Sequence, residues 1–357
     1  KQTHIENGKK MKVLLTQPLS PVSNKIHSHK AAQGIIYADQ LRNAGYDVTV
    51  HMTGKQLYDY NEYDIVALYH GNDWGGSLNL FGGLENYANI EYIIALSNFN
   101  GEVWSLAIDM PDYHSMLYPR VDKARKEGKK LNKDWLQINW GNLELIQKQA
   151  KTLDPNLAKK YPKIAIGDSH AICMYRPGWM NVSTPFKTLH GALKMGFESF
   201  IPEGKYNEIE TYFGNIDVRH HLMRFPEEHT IDLAKRYVEE CVRISQVYGA
   251  HVTIWELLPI ENESRVLPKT GYYKGLPFYG TWEEREGRRK LFNKYIKDHH
   301  EVFEWTSDLL NSKGELDFEY MEKPKSVHLS RTSYPHWTGA DWNAPKPAPG
   351  GLESFFS

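Results

Sequence analysis

From Met11 onward, short apolar and β-branched runs alternate with longer stretches in which apolar residues recur every three or four positions. The runs Met11–Thr16, Asp47–His51, Asp64–Tyr69, Tyr92–Ala95 and Glu102–Ile108 predict strands. Ala31–Asn43, with Ile35, Ile36, Ala38 and Leu41 at helical spacing, predicts a helix closed at Gly45. Strands alternating with helices imply a parallel sheet that presents ligands at its strand C-terminal ends. Leu143–Leu153 predicts a further helix, broken by Asp154-Pro155.

A second unit of the same type starts at Lys163. Its expected strands are Ile164–Ile166, Pro185–Leu189, Ile209–Phe213, His251–Leu257 and Glu301–Trp305. Thr230–Tyr248 predicts an amphipathic helix with Gly249 after it, and Glu283–Asp298 a charged surface helix. The expected organisation is therefore two α/β domains, residues 11–155 and 163–335, with a loose Pro- and Gly-rich tail over 336–357. The polar first ten residues stand outside the fold argument.

Composition narrows the classes without choosing among them. A chain that is 41% hydrophobic and 13% aromatic is not a disordered polymer. No run approaches the roughly 18 apolar residues of a membrane span, and no charged-then-apolar leader opens the chain, so no membrane partner and a cytoplasmic protein are expected. Two cysteines, Cys173 and Cys241, are too few for a disulfide framework or a cysteine metal knuckle. A net charge of −1 gives no global attraction to nucleic acid. Locally the balance differs: 120–133 carries seven Lys/Arg against two acids. Arg120, Lys123, Arg125, Lys126, Lys129 and Lys130 are its candidate phosphate contacts, unless it is simply a solvated loop. Sixteen histidines show no spacing that predicts a zinc site.

Gly167-Asp168-Ser169-His170 sits between an apolar strand and a helical stretch, where a serine hydroxyl stands at the sheet's C-terminal edge near backbone N–H groups. Asp and Ser are also ordinary turn and cap residues, so the tripeptide alone leaves both readings open. Phe213-Gly214-Asn215-Ile216-Asp217-Val218-Arg219-His220 follows the third strand of this unit, and Ser326-Val327-His328-Leu329 comes after the fifth. With these blocks in this order, Lys163–Ser330 resembles the SGNH/GDSL hydrolase-like superfamily. The resemblance implies a flavodoxin-like three-layer fold with Ser169 as nucleophile, His328 as base, and Ser169 and Gly191 as oxyanion donors. That family carries an aspartate three residues before the histidine; here the residue is Lys325. Asp217-Val218-Arg219 resembles instead an Ile-Asp-x-Arg subgroup in which acid and arginine hold a phosphate or sugar.

In the first domain, Asn79-Leu80-Phe81-Gly82-Gly83 is a glycine-paired turn, and the strand starting at Glu102 leads into Asp109. There is no Gly-x-Gly-x-x-Gly fingerprint and no Walker lysine, so NAD and P-loop readings fail here. A carboxylate at a strand's C-terminal end is placed to act as a general base, or equally to cap the turn before Pro111. Tyr63-Asp64, Asn79 through Gly83, and Asp109 together resemble the N-terminal domain of phage DNA beta-glucosyltransferases. The resemblance implies a Rossmann-like domain with Asp109 as base and Asn79, Phe81, Gly82 and Gly83 around the acceptor.

The two resemblances combine into one expectation, a phage-type transferase that glycosylates hydroxymethylated pyrimidines in double-stranded DNA from a nucleotide sugar, inside an infected bacterial cell. Ser169, His170, Asp217, Arg219, His220 and His328 would then bind the small-molecule donor, with a divalent metal ion as a possible aid. The competing expectation is a serine esterase or acyltransferase acting on a glycan or small ester through Ser169 and His328.

Overall fold

The computed structural model describes residues 5–6, 9–16, 29–51, 59–68, 94–105, 122–123, 126–128, 137–149, 159–184, 187–262, 279–322 and 326–336. The chain divides into two compact units between Leu157 and Ala158. Both are α/β units whose main sheets are parallel, the fold class the alternating pattern predicts.

In the first unit, β1 (Ile5–Glu6) and β2 (Lys9–Lys10) form a small antiparallel pair of their own. The main sheet consists of β3 (Lys12–Thr16), β4 (Asp47–His51), β5 (Ile65–Leu68) and β6 (Glu102–Ser105), in the order β4-β3-β5-β6. Val13, Leu14, Leu15 and Ile65 through Leu68 are buried, as expected of strands covered on both faces. The helix α1 (His29–Asn43) buries Ile36, Tyr37, Ala38 and Leu41, and Gly45 takes the positive φ of 101° that closes it. The expected strand Tyr92–Ala95 is absent: residues 94–97 are a helical turn, while 91–93 lie outside the described residues. Ser97 Oγ and Asn98 Nδ2 both donate to the Ile94 carbonyl, a local bonding pattern that competes with a strand ladder. Helix α2 (Trp140–Gln149) follows.

The second unit holds β7 (Lys163–Gly167), β8 (Met180–Ser183), β9 (Glu208–Tyr212), β10 (His251–Trp255) and β11 (Val302–Phe303). Their spatial order, β8-β7-β9-β10-β11, is the flavodoxin-like 2-1-3-4-5 arrangement. The first strand is therefore interior, and the order reverses beside it. The helices are α3 (Leu189–Met195), α4 (Asn215–His220), α5 (Glu228–Tyr248) and α6 (Trp282–His299). Helix α5 buries Leu233, Ala234, Tyr237, Val238, Cys241 and Ile244, and Gly249 closes it with a left-handed φ of 61°.

Two expectations are corrected. The strand placed at Pro185–Leu189 is Met180–Ser183 instead, and Leu189 begins α3 behind a Thr188 cap. Helix α6 is charged but not confined to the surface. Arg285, Glu286 and Arg289 are buried with Phe292, Asn293 and Ile296. Arg289 pairs with Glu286 and donates to the Leu257 carbonyl, while Glu286 accepts the Ile260 N–H. Glu286 and Arg289 pair with each other and tie down the strand-exit segment, so burial leaves these two charges compensated.

Candidate functional site

The centre of the second unit's sheet sets the position of Ser169. Strand β7 ends at Gly167, and a Cβ there would meet the Tyr212 carbonyl oxygen at 2.3 Å and Ala171 Cβ at 2.9 Å. Only glycine lets the two neighbouring strand ends approach this closely. The Asp168 N–H donates to the Tyr212 carbonyl at 3.0 Å, and the Thr184 N–H donates to the Gly167 carbonyl at 2.8 Å. The chain then turns into a 3-10 helix, Ser169–Met174, whose N-cap is Asp168. Asp168 Oδ1 accepts the His170 N–H at 2.8 Å. Strand β8 reinforces the turn, for Ser183 Oγ donates to the Asp168 carbonyl at 3.0 Å and Asn181 Nδ2 to the Ala171 carbonyl at 2.7 Å. Ser169 thus occupies the first position of a helical turn, where backbone N–H groups have no intrahelical acceptor.

The side chain that meets Ser169 arrives from far along the chain. His328 Nε2 lies 2.9 Å from Ser169 Oγ, and with its ring proton on Nδ1 the imidazole accepts from the hydroxyl. The strand-like segment carrying His328 is anchored from both sides of its backbone. The Glu322 N–H donates to the His328 carbonyl at 3.1 Å. The His328 N–H donates to Ser326 Oγ at 3.1 Å, and Ser326 Oγ donates to Glu322 Oε1 at 2.6 Å. Glu322 therefore steadies the backbone of the base through a serine; Lys325 lies outside the described residues.

Ser169 and His328 line a narrow cleft with His170, Ile172, Cys173, Tyr212, Leu258, Trp305, Leu329 and Tyr334. The cleft is open on one side, and its volume is about 10 Å³, close to the room one water needs. Most of the wall is apolar or aromatic, and Tyr212 and Leu258 are almost wholly buried. Burial and then the nearby Asp168 charge push the Cys173 thiol well above its ordinary range, so it stays a neutral wall residue at neutral pH.

Several expected ligands turn out to serve the fold. Asp217 accepts the N–H groups of Leu189 at 2.7 Å and His190 at 3.4 Å, capping α3. Arg219 is 3% exposed; its Nε donates to Glu261 Oε2 at 2.8 Å and its Nη1 to the Asn215 carbonyl at 3.0 Å. Neither offers a fork to a phosphate or sugar, because each is buried and its polar atoms are taken up by the protein. Gly191 is no oxyanion donor, since its N–H is bonded to Thr188 Oγ1 at 3.0 Å. His170 is 6% exposed with both ring nitrogens bonded internally, so it is not a donor-binding group either. His220, half-buried in the last turn of α4, does not line the cleft.

Asp109, Asn79, Phe81, Gly82 and Gly83 lie outside the described residues, as do Arg120, Arg125, Lys129 and Lys130. Lys123 and Lys126 are exposed, pairing with Glu127 and Asp122 at 3.8 and 2.7 Å, so the two acids of the basic segment are engaged by two of its lysines. Among the described residues, no three His, Cys, Asp or Glu side chains are grouped to hold a metal ion, and no helix is long and apolar enough to cross a membrane.

Sequence reasoning missed Asn181 and Ser183, which brace the nucleophile turn, and the aromatic wall of Tyr212, Trp305 and Tyr334. The signal for the first pair was present: polar residues inside a buried strand need partners, and the nearest backbone able to accept is the turn after β7.

No family model matches the chain, and no curated protein sequence matches it. Solved structures resemble about half of it. A Streptococcus pneumoniae protein provisionally described as a platelet activating factor aligns over 52% of this chain and 86% of its own, at 14% identity and a TM-score of 0.38. A protein provisionally described as an acylhydrolase, from Bacteroides fragilis, aligns over 51% and 83%, at 12% identity and a TM-score of 0.36. A carbohydrate acetylesterase from Sinorhizobium meliloti aligns over 50% and 94%, at 15% identity and a TM-score of 0.32. Likenesses this distant decide neither substrate nor reaction.

Proposed function

We propose that the second unit is a serine esterase or acyltransferase that acts on small acyl esters. The observation that carries this reading is the 2.9 Å contact between Ser169 Oγ and His328 Nε2 at the C-terminal edge of the central strand. Such a pair does one thing well. His328 takes the hydroxyl proton as Ser169 Oγ attacks an ester carbonyl, and the carbon becomes tetrahedral. The Ser169 N–H, the first of the 3-10 turn, is the donor this reading assigns to the oxyanion, since the His170 and Ala171 N–H groups are bonded to Asp168. When the C–O bond to the leaving alcohol breaks, His328 Nε2–H returns the proton to that alcohol. Water or an acceptor hydroxyl then attacks the acyl-serine, again deprotonated by His328, and Ser169 is regenerated. The narrow, largely apolar cleft favours a short acyl group.

The glycosyl-transfer alternative is left without its donor fork, because Arg219 and Asp217 are bonded inside the fold. Its base and acceptor turn lie outside the described residues. The test is labelling with a fluorophosphonate probe alongside hydrolysis of p-nitrophenyl acetate. The proposal expects both in the wild-type chain and neither in Ser169→Ala. Labelling that survives in Ser169→Ala, or its absence from the wild type, would overturn it.

A further inference from the structure

We infer that His170 is a positioning residue for the catalytic base: paired with Asp168, it grips the carbonyl of Val327 and so fixes where the neighbouring His328 imidazole stands relative to Ser169. The inference rests on the hydrolase reading above and adds to it the device that orients its base.

The geometry is specific. His170 Nδ1 lies 2.9 Å from Asp168 Oδ1, and its Nε2 lies 3.0 Å from the Val327 carbonyl oxygen. Both partners only accept, so the ring must donate from both nitrogens to make both bonds. Asp168 is wholly buried and its second oxygen, Oδ2, has no hydrogen-bond donor. The His170 ring also lies against that of His328, with centroids 4.7 Å apart and planes inclined by 27°. The grip therefore acts on the base twice, through the preceding peptide and through the face of the imidazole.

This arrangement bears on a gap in the motif. Where a carboxylate three residues before the histidine would orient its ring, this chain has Lys325. A different carboxylate, Asp168, sits on the nucleophile's own turn and reaches the base segment through His170. An ordinary core histidine needs one donor bond and one acceptor bond to be satisfied; His170 instead bridges the nucleophile turn to the residue beside the base, 157 positions away.

The experiment compares His170→Gln, His170→Asn and His170→Phe in the full chain, with kcat and KM for an acetyl ester and a thermal melt for each. A Gln amide nitrogen replaces Nε2 and keeps the bond to Val327; an Asn nitrogen replaces Nδ1 and keeps only the bond to Asp168. The expected order of kcat is wild type, then Gln, then Asn and Phe together, with the last two down about 10²-fold and KM changed less than about twofold. Equal kcat for Gln and Asn, or a loss carried by KM, would overturn the inference. A second measurement does not depend on activity or on any variant folding: histidine side-chain NMR of the wild type should show two exchange-protected N–H protons on His170. A single ring proton would overturn the grip even in an active enzyme. Two ring protons in a protein that neither hydrolyses nor labels would leave the grip standing and remove the hydrolase reading.

Discussion

The Asp217 carboxylate accepts the backbone N–H of Leu189 at 2.7 Å and so caps a helix that begins 28 residues earlier. Burial pushes this carboxyl from 3.8 up to about 6, against the two N–H groups that favour its charge. A carboxyl raised in the fold stabilises fully below its unfolded value and loses that stabilisation as pH rises through its folded one. Between about pH 4 and pH 7, wild-type stability should therefore fall relative to Asp217→Asn by on the order of 3 kcal/mol. Urea titrations of both proteins across that window check the sign. A constant difference would show that Asp217 is not desolvated.

His328→Ala removes the general base while leaving the serine in its turn. Its kcat should drop about 10²–10⁴-fold with little change in melting temperature. Fluorophosphonate labelling should slow in parallel, because the same proton transfer activates Ser169. Unchanged labelling would mean the 2.9 Å contact is structural.

Arg219 and Glu261 form an ion pair in which both side chains are at most 3% exposed. Arg219→Met leaves Glu261 buried without its partner and should cost about 3–5 kcal/mol. Arg219→Met combined with Glu261→Met should recover most of that loss. The double-mutant cycle by denaturant unfolding reads the coupling, and additive losses would mean that the two charges do not depend on each other.

The cleft should discriminate by acyl length. Each methylene added to acetate should cost about 1–3 kcal/mol in kcat/KM. Leu258→Ala, on the cleft wall, should relax that penalty while lowering stability by about 2–5 kcal/mol. A wild-type enzyme that prefers octanoate esters would contradict the small cleft.

Much of this was legible along the chain, and the failures share a cause. The alternation of apolar runs and helical spacing predicts both parallel sheets, whereas Ser169 and His328 were singled out by a resemblance to the SGNH/GDSL hydrolase-like superfamily, carried by the order of their blocks along the second unit. Contact between them depends on tertiary geometry, which no local pattern encodes. Strand β8 escaped notice because Asn181 and Ser183 are polar, and their partners, the carbonyls of Ala171 and Asp168, lie on a different element. Asp217 and Arg219 resembled ligands for the same reason. A carboxylate and a guanidinium look alike in sequence whether they face a substrate or a helix end. Helix α6 was misplaced on the surface because its charge count was visible and its internal pairing was not.

The 159 residues separating Ser169 from His328 have a consequence for synthesis. A ribosome makes the turn with Ser169 and its Asp168–His170 pair well before His328, whereas β11 ends at Phe303, only 25 residues ahead of that histidine. Until residues 326–330 dock, the proposed nucleophile lacks its proposed base, and the nascent chain is silent on that mechanism. A protease cut after Glu322 would return the mature protein to that silent state while leaving all five strands of the second sheet connected.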